Sequence, residues 1–120
     1  IETHYLMGRI YAEREQYQQA EIAYQNVIKA KPSFADAYER LAHLYGSWGK
    51  YQKKALELAR KAVELQPDSA EYLNTLSWLY YLQKNYDQAE ETIKKALSLE
   101  SNNRVFQEGL KAIQEIKKLE

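Results

Sequence analysis

Residues 36–67 read DAYERLAHLYGSWGKYQKKALELARKAVELQP, and their periodicity decides the fold. Tyr38, Leu41, Ala42 and Tyr45 recur at i, i+3, i+4 and i+7, which makes one face of a helix. A loose turn is expected at Gly46-Ser47-Trp48-Gly49, after which Ala55, Ala59, Ala62 and Val63 form a second helical face. Pro67 closes the stretch, because proline cannot continue the helical hydrogen-bond ladder. These residues therefore predict two amphipathic helices joined by a short turn.

The same design lies on both sides of this stretch. Tyr11, Tyr45 and Tyr80 are 34 and 35 residues apart, and so are Tyr17, Tyr51 and Tyr86. Ala20, Ala55 and Ala89 follow at 35 and 34, and Pro32 and Pro67 at 35. The first unit reads His4, Met7, Gly8, Tyr11 and then Ala20, Tyr24, Val27; the third reads Leu73, Leu76, Ser77, Tyr80 and then Ala89, Ile93, Ala96. A fixed period of this length is the mark of a stacked repeat. The second unit has one extra residue within Gln52-Lys53-Lys54, expected where its second helix begins. The third lacks its proline, and Ser101-Asn102-Asn103 offers turn and capping chemistry instead.

These columns resemble the tetratricopeptide repeat (TPR), whose signature sets a large residue, Leu, a small residue and Tyr on the first helix. On the second helix it sets Ala, an aromatic, Ala and finally Pro. The likeness covers residues 1–102. It implies an all-α solenoid of helix-turn-helix repeats, at about 1–34, 35–69 and 70–103. Gly8, Ala42 and Ser77 are expected where paired helices touch, with Ala20, Ala55 and Ala89 opposite them, and the tyrosines in the wedge between units. His4 is expected to pack in a core column.

Residues 104–120 predict one more helix, with Val105/Phe106, Leu110, Ile113 and Ile116 on one face. Lys111 takes the column that is small in the repeats, so no further helix is expected on it. A helix of this kind closes the open apolar end of a repeat stack. The expected whole is a single domain, residues 1–120, of seven helices in a right-handed superhelix, with the capping helix at about 104–119.

Composition narrows the chemistry. The 120 residues suffice for one compact domain, and 45% hydrophobic with 28% charged residues is a globular composition. Seventeen basic and seventeen acidic side chains cancel, which argues against nucleic acid as the main partner. There is no cysteine, so disulfides and thiolate sites are excluded; this suits the cytoplasm and is tolerated in the periplasm. Apolar runs are too short for a membrane span. The chain opens at Ile1 with periodicity already running by His4, which reads as a segment of a longer protein.

Enzyme signatures are absent: there is no phosphate loop, His-Glu-x-x-His or nucleophile elbow. His4 and His43 lie on different repeats with no third metal ligand nearby in sequence, and no cofactor motif occurs. Glu90 and Glu91 precede Lys94 and Lys95 by four residues, a solvated ladder rather than an acid–base pair. A non-catalytic module is expected.

The resemblance implies a concave groove lined by the first helix of each repeat. In this chain that face carries Tyr5, Leu6 and Arg9 on the first such helix, and Asp36, Glu39, Arg40 and His43 on the second. The third brings Glu71, Asn74, Thr75, Trp78, Tyr81 and Leu82. The expected peptide-binding set is Tyr5, Arg9, Glu39, Arg40, His43, Asn74, Trp78 and Tyr81. Trp and Arg are enriched in binding hot spots. Trp78 therefore reads as an anchor, against the alternative that it leans back over Tyr45 or Tyr81 as packing. Trp48 is expected to cover the loop end.

One TPR subclass grips chaperone tails through a carboxylate clamp of Lys and Asn on the first groove helix, Asn on the second, and Lys and Arg on the third. The matching places here hold Tyr5, Arg9, Arg40, Glu71 and Thr75. Only Arg9 keeps the cationic character, and Glu71 would repel a carboxylate, so the resemblance stops short of that subclass. The function expected is a protein–protein interaction module holding a partner peptide or helix in the groove. The rival is a scaffold that self-assembles through its ends, with Ile1, Tyr5 and Ile10 on the outer side of the first helix, or a regulatory segment of a larger protein.

Overall fold

The computed structural model describes residues 1–120. Seven helices run in order: α1 (Glu2–Glu13), α2 (Tyr17–Ala30), α3 (Ala35–Trp48), α4 (Gln52–Leu65), α5 (Ala70–Leu82), α6 (Tyr86–Leu99) and α7 (Arg104–Lys118). Each helix packs on its neighbour in sequence, and α3 also meets α5 on one side and α1 on the other. The result is an elongated stack, 42 × 26 × 22 Å, and an all-α solenoid.

The small column does what its spacing predicts. A Cβ on Gly8 would lie 2.6 Å from Cε1 of Tyr24, so only glycine lets α1 approach α2 this closely. Ala42 is fully buried, and buried Ser77 donates a 2.7 Å hydrogen bond to the carbonyl of Ala89. Ala20, Ala55 and Ala89, on the partner helices, have no exposed surface.

Between units the tyrosines bond as well as fill. Tyr45 donates to Glu21 Oε2 at 2.6 Å, Tyr38 to the carbonyl of Pro32 at 2.7 Å, and Tyr72 to Asp36. Arg60 donates from Nη2 to the Tyr80 hydroxyl at 2.9 Å. Every buried side-chain polar atom has a partner. Such satisfied bonds tie one repeat to the next at little desolvation cost.

Three expectations are corrected. The helix α3 runs on through Gly46, Ser47 and Trp48, and the turn is only Gly49-Lys50-Tyr51. The other two hairpins turn through one left-handed residue, Glu15 or Lys84, whereas this one uses two, Gly49 and Tyr51. The extra residue is taken up where α4 begins, as expected: Tyr51 precedes that helix, whereas Tyr17 and Tyr86 open α2 and α6. His4 is exposed and so is Met7, because α1 has α2 against it and little else, leaving that side of the helix uncovered. In α7 it is Phe106 that is buried, while Val105 is 65% exposed.

Trp48 covers the loop end as expected, stacked on Tyr17 at 5.4 Å between centroids and meeting Tyr51 edge-on. Asn103 caps α7 by accepting from the Phe106 amide at 3.1 Å. Lys117 then pins α7 to α6, its Nζ lying 2.8 Å from Asp87 and 2.7 Å from Glu90. Lys111 is exposed.

Candidate functional site

The sequence of α3 puts Glu39, Arg40 and His43 on the side that meets α5, and α5 answers with Thr75 and Trp78. His43 and Trp78 stack at 4.8 Å with 24° between ring planes. The indole is half-buried, and its far edge rests on the backbone of α3. A Cβ at Gly46 would stand 2.6 Å from Trp78 Cζ3. Trp78 therefore leans on neither Tyr45 nor Tyr81; it bridges α5 to α3. The outer edge of His43 stays exposed. Burial of its stacked face, then the Arg40 guanidinium, hold its pKa below the ordinary value.

Glu39 leaves the expected groove set. It is only 3% exposed, because α5 closes over it, and it accepts from Thr75 Oγ1 at 2.7 Å. Burial pushes its carboxyl above the usual range, while the Thr75 bond and Arg40 pull it back. Its role is to hold Arg40, whose Nε lies 3.5 Å away. Arg40 also reaches Glu71 at 3.8 Å. Burial opposes its charge, but Glu39, the Tyr5 hydroxyl beside it and Glu71 outweigh that and raise its pKa.

Tyr5 turns inward rather than to the outer side of α1. Its ring meets Phe34 edge-on at 5.2 Å and Tyr24 at 6.2 Å. Arg9 is exposed and has no carboxylate partner. Asn74 and Tyr81 are half-buried on α5, with Tyr81 5.7 Å from Tyr86.

Two depressions share His43. One, of about 290 Å³, lies between α1 and α3 and is lined by Arg9, Glu13, Arg40 and Ser47. The other, of about 400 Å³, lies between α5 and α7, with Asn74, Trp78 and Tyr81 facing Val105, Gly109 and Ile113. The structure thus gathers Arg9, Arg40, His43, Asn74, Trp78 and Tyr81 along one face, with Tyr5 at its edge. The α7 wall was missed from sequence; the available signal was a glycine in mid-helix. No group of three or more His, Asp or Glu could hold a metal.

Tetratricopeptide repeat family models match residues 33–99 and 1–34. The chain belongs to the tetratricopeptide repeat family. It is 27% identical over 106 residues to rat DnaJ homolog subfamily C member 3, covering 85% of this chain and 21% of that protein. It is 30% identical over 112 residues to Hsp70-Hsp90 organizing protein 2 of Arabidopsis thaliana, covering 92% of this chain and 19% of the relative. The chain thus spans about one fifth of the length of these relatives. Among solved structures, the first TPR of Spaghetti (RPAP3), bound to the HSP90 peptide SRMEEVD, superposes with a TM-score of 0.90 at 19% identity. That likeness covers 97% of this chain and 91% of the other, and at this identity it speaks for the TPR fold. No helix is long and apolar enough to cross a membrane.

Proposed function

We propose that this TPR chain is a non-catalytic interaction module that holds an extended or helical segment of a partner polypeptide along the face formed by α1, α3 and α5. The observation that carries this reading is the His43–Trp78 stack, an aromatic platform left partly open between two depressions. A half-exposed tryptophan in a concavity is poor use of apolar surface unless something covers it. Arg9, free of any carboxylate, and Asn74, with no side-chain bond of its own, stand ready for the polar groups of a bound backbone. The peptide bound by the Spaghetti domain supports a peptide as the ligand class. It does not extend to a carboxylate-terminated tail, since Arg40 is already shared between Glu39 and Glu71. Affinity should be around micromolar, because a flexible ligand loses entropy on binding.

The test uses residues that the fold does not need. Capture of partner proteins by the wild type is compared with capture by an Arg9→Ala, Asn74→Ala double variant of unchanged helicity. A protein lost from the variant identifies the groove ligand; undiminished capture of every partner would refute the reading.

A specific observation favours self-assembly as a second reading. Leu6, Ile10 and Ile22 are 56%, 48% and 58% exposed on the α1–α2 end. A contact between two such α1–α2 ends would be between like faces and stop at a dimer. Light scattering across a concentration series separates a dimer from the monomer expected of a peptide-binding module.

A further inference from the structure

Gly109 sits in the middle of α7, where glycine weakens a helix relative to alanine. Packing does not require it. A Cβ there would meet Ile93 at 3.9 and 4.0 Å, which is ordinary contact. This separates Gly109 from Gly8 and Gly46, where an added Cβ would come within 2.6 Å of an aromatic ring. What the missing side chain does leave is space, for Gly109 lines the depression of about 400 Å³ between α5 and α7. Trp78 and Tyr81 wall it on the α5 side, Val105 and Ala112 on the α7 side, and Ile93 and Ile113 contribute to its lining.

The lining fixes the chemistry of an occupant. It contains no Asp, Glu, Lys or Arg. Its one basic side chain, His43, has its pKa held below the ordinary imidazole value by burial against Trp78 and by Arg40, which favours the neutral form near pH 7. A charged side chain would enter it without a counter-charge and lose its water. The uncharged polar groups, Asn74 and Thr75 among them, join the lining from α5, and the Thr75 hydroxyl is already committed to Glu39. The volume lies within the range of small ligand pockets.

We infer that the α5–α7 depression is the specificity pocket of the groove. It receives one large apolar side chain of the partner peptide (Leu, Met or Phe), and Gly109 keeps it open at the expense of helix stability. This rests on the peptide-binding reading and adds to it the identity of the anchoring residue and the part played by the capping helix.

The probes are acetylated, amidated pentapeptides Ser-Gly-X-Gly-Ser with X as Leu, Met, Phe, Lys or Asp. Binding is followed by NMR through the indole N–H of Trp78, with that of Trp48, the last residue of α3, as internal reference. Affinities of roughly millimolar are expected from ligands this small. Leu, Met and Phe peptides should move the Trp78 signal and leave that of Trp48 in place, while Lys and Asp peptides move neither. Gly109→Ala should weaken the apolar peptides a few-fold while raising the thermal midpoint by a few degrees, and Gly109→Leu should weaken them at least tenfold. The alanine variant alone decides the matter if the leucine variant fails to fold. Apolar peptides that bind both folded variants as they bind the wild type overturn the pocket but leave the groove standing, since Trp78 is still reached. Lys or Asp peptides that bind as well as Leu overturn it too. If no peptide moves Trp78 in the wild type, the pocket falls, and the groove is then judged by the Arg9→Ala, Asn74→Ala capture alone.

Discussion

Replacing Gly46 by alanine should destabilise the protein, although alanine is the better helix former. The position lies inside α3, so propensity alone favours the change by about 1 kcal/mol. Against this, the new Cβ would stand 2.6 Å from Trp78 Cζ3 and 2.8 Å from both Trp78 Cη2 and Leu79 Cδ2. Leu79 is 1% exposed and cannot retreat, so the indole must swing out or α5 must move. Overpacking of this kind costs about 1–3 kcal/mol, and loss of the His43–Trp78 stack adds about 0.5–1.5 kcal/mol. The net expected is about 1–3 kcal/mol of destabilisation, a fall in thermal midpoint of roughly 4–12 °C for a domain of this size. Urea unfolding gives the free energy, and tryptophan fluorescence reports whether the Trp78 environment has opened. A Gly46→Ala protein at least as stable as the wild type, with unchanged emission, would refute the close approach of α5 to α3.

Other outcomes follow from the same contacts. Thr75→Val keeps the shape but removes the hydroxyl that donates to buried Glu39, and should cost about 1–3 kcal/mol by urea unfolding. For His43, whose pKa is lowered in the folded chain, the unfolded chain binds more protons as pH falls below about 6.5. Stability is therefore lost as pH drops below that value, until the folded state takes up the proton too. His43→Gln should remove that loss, seen as a flatter midpoint-versus-pH curve than the wild type's between pH 5 and about 6.5. Lys117→Ala breaks the bridges to Asp87 and Glu90, and should speed amide exchange across α7 more than across α3.

The repeat was legible because its constraints are local and recur. Gly8, Ala42 and Ser77 are small for one reason, helix contact within a hairpin, and that reason repeats at fixed spacing. The capping helix was legible from its one-sided apolar face. What the period hid were places where neighbours differ. The His4 column is a core column only for a helix packed on both sides, and α1 is not. A helical wheel puts Glu39 beside Arg40 in the groove, yet α5 lies close enough to bury it, and the Thr75 hydroxyl together with the Arg40 guanidinium makes that tolerable. The turn after α3 was misread because Gly46 looks like a turn residue when it is a contact residue. Of the groove set, Arg9, Arg40, His43, Asn74, Trp78 and Tyr81 fall on one face, while the wall from α7 required knowing how the cap, packed on α6, faces α5 across the depression.

On the proposed function, a partner polypeptide lies against α3 and α5 rather than against the outer helices. Site-specific photo-crosslinking tests it most directly, with a benzophenone side chain placed at Asn74, on α5 in the groove, or at Lys95, exposed on α6. Irradiation in a cell extract should yield a protein adduct from position 74 and none from 95. An adduct from 95 alone, or the same adduct from both positions, would contradict the account.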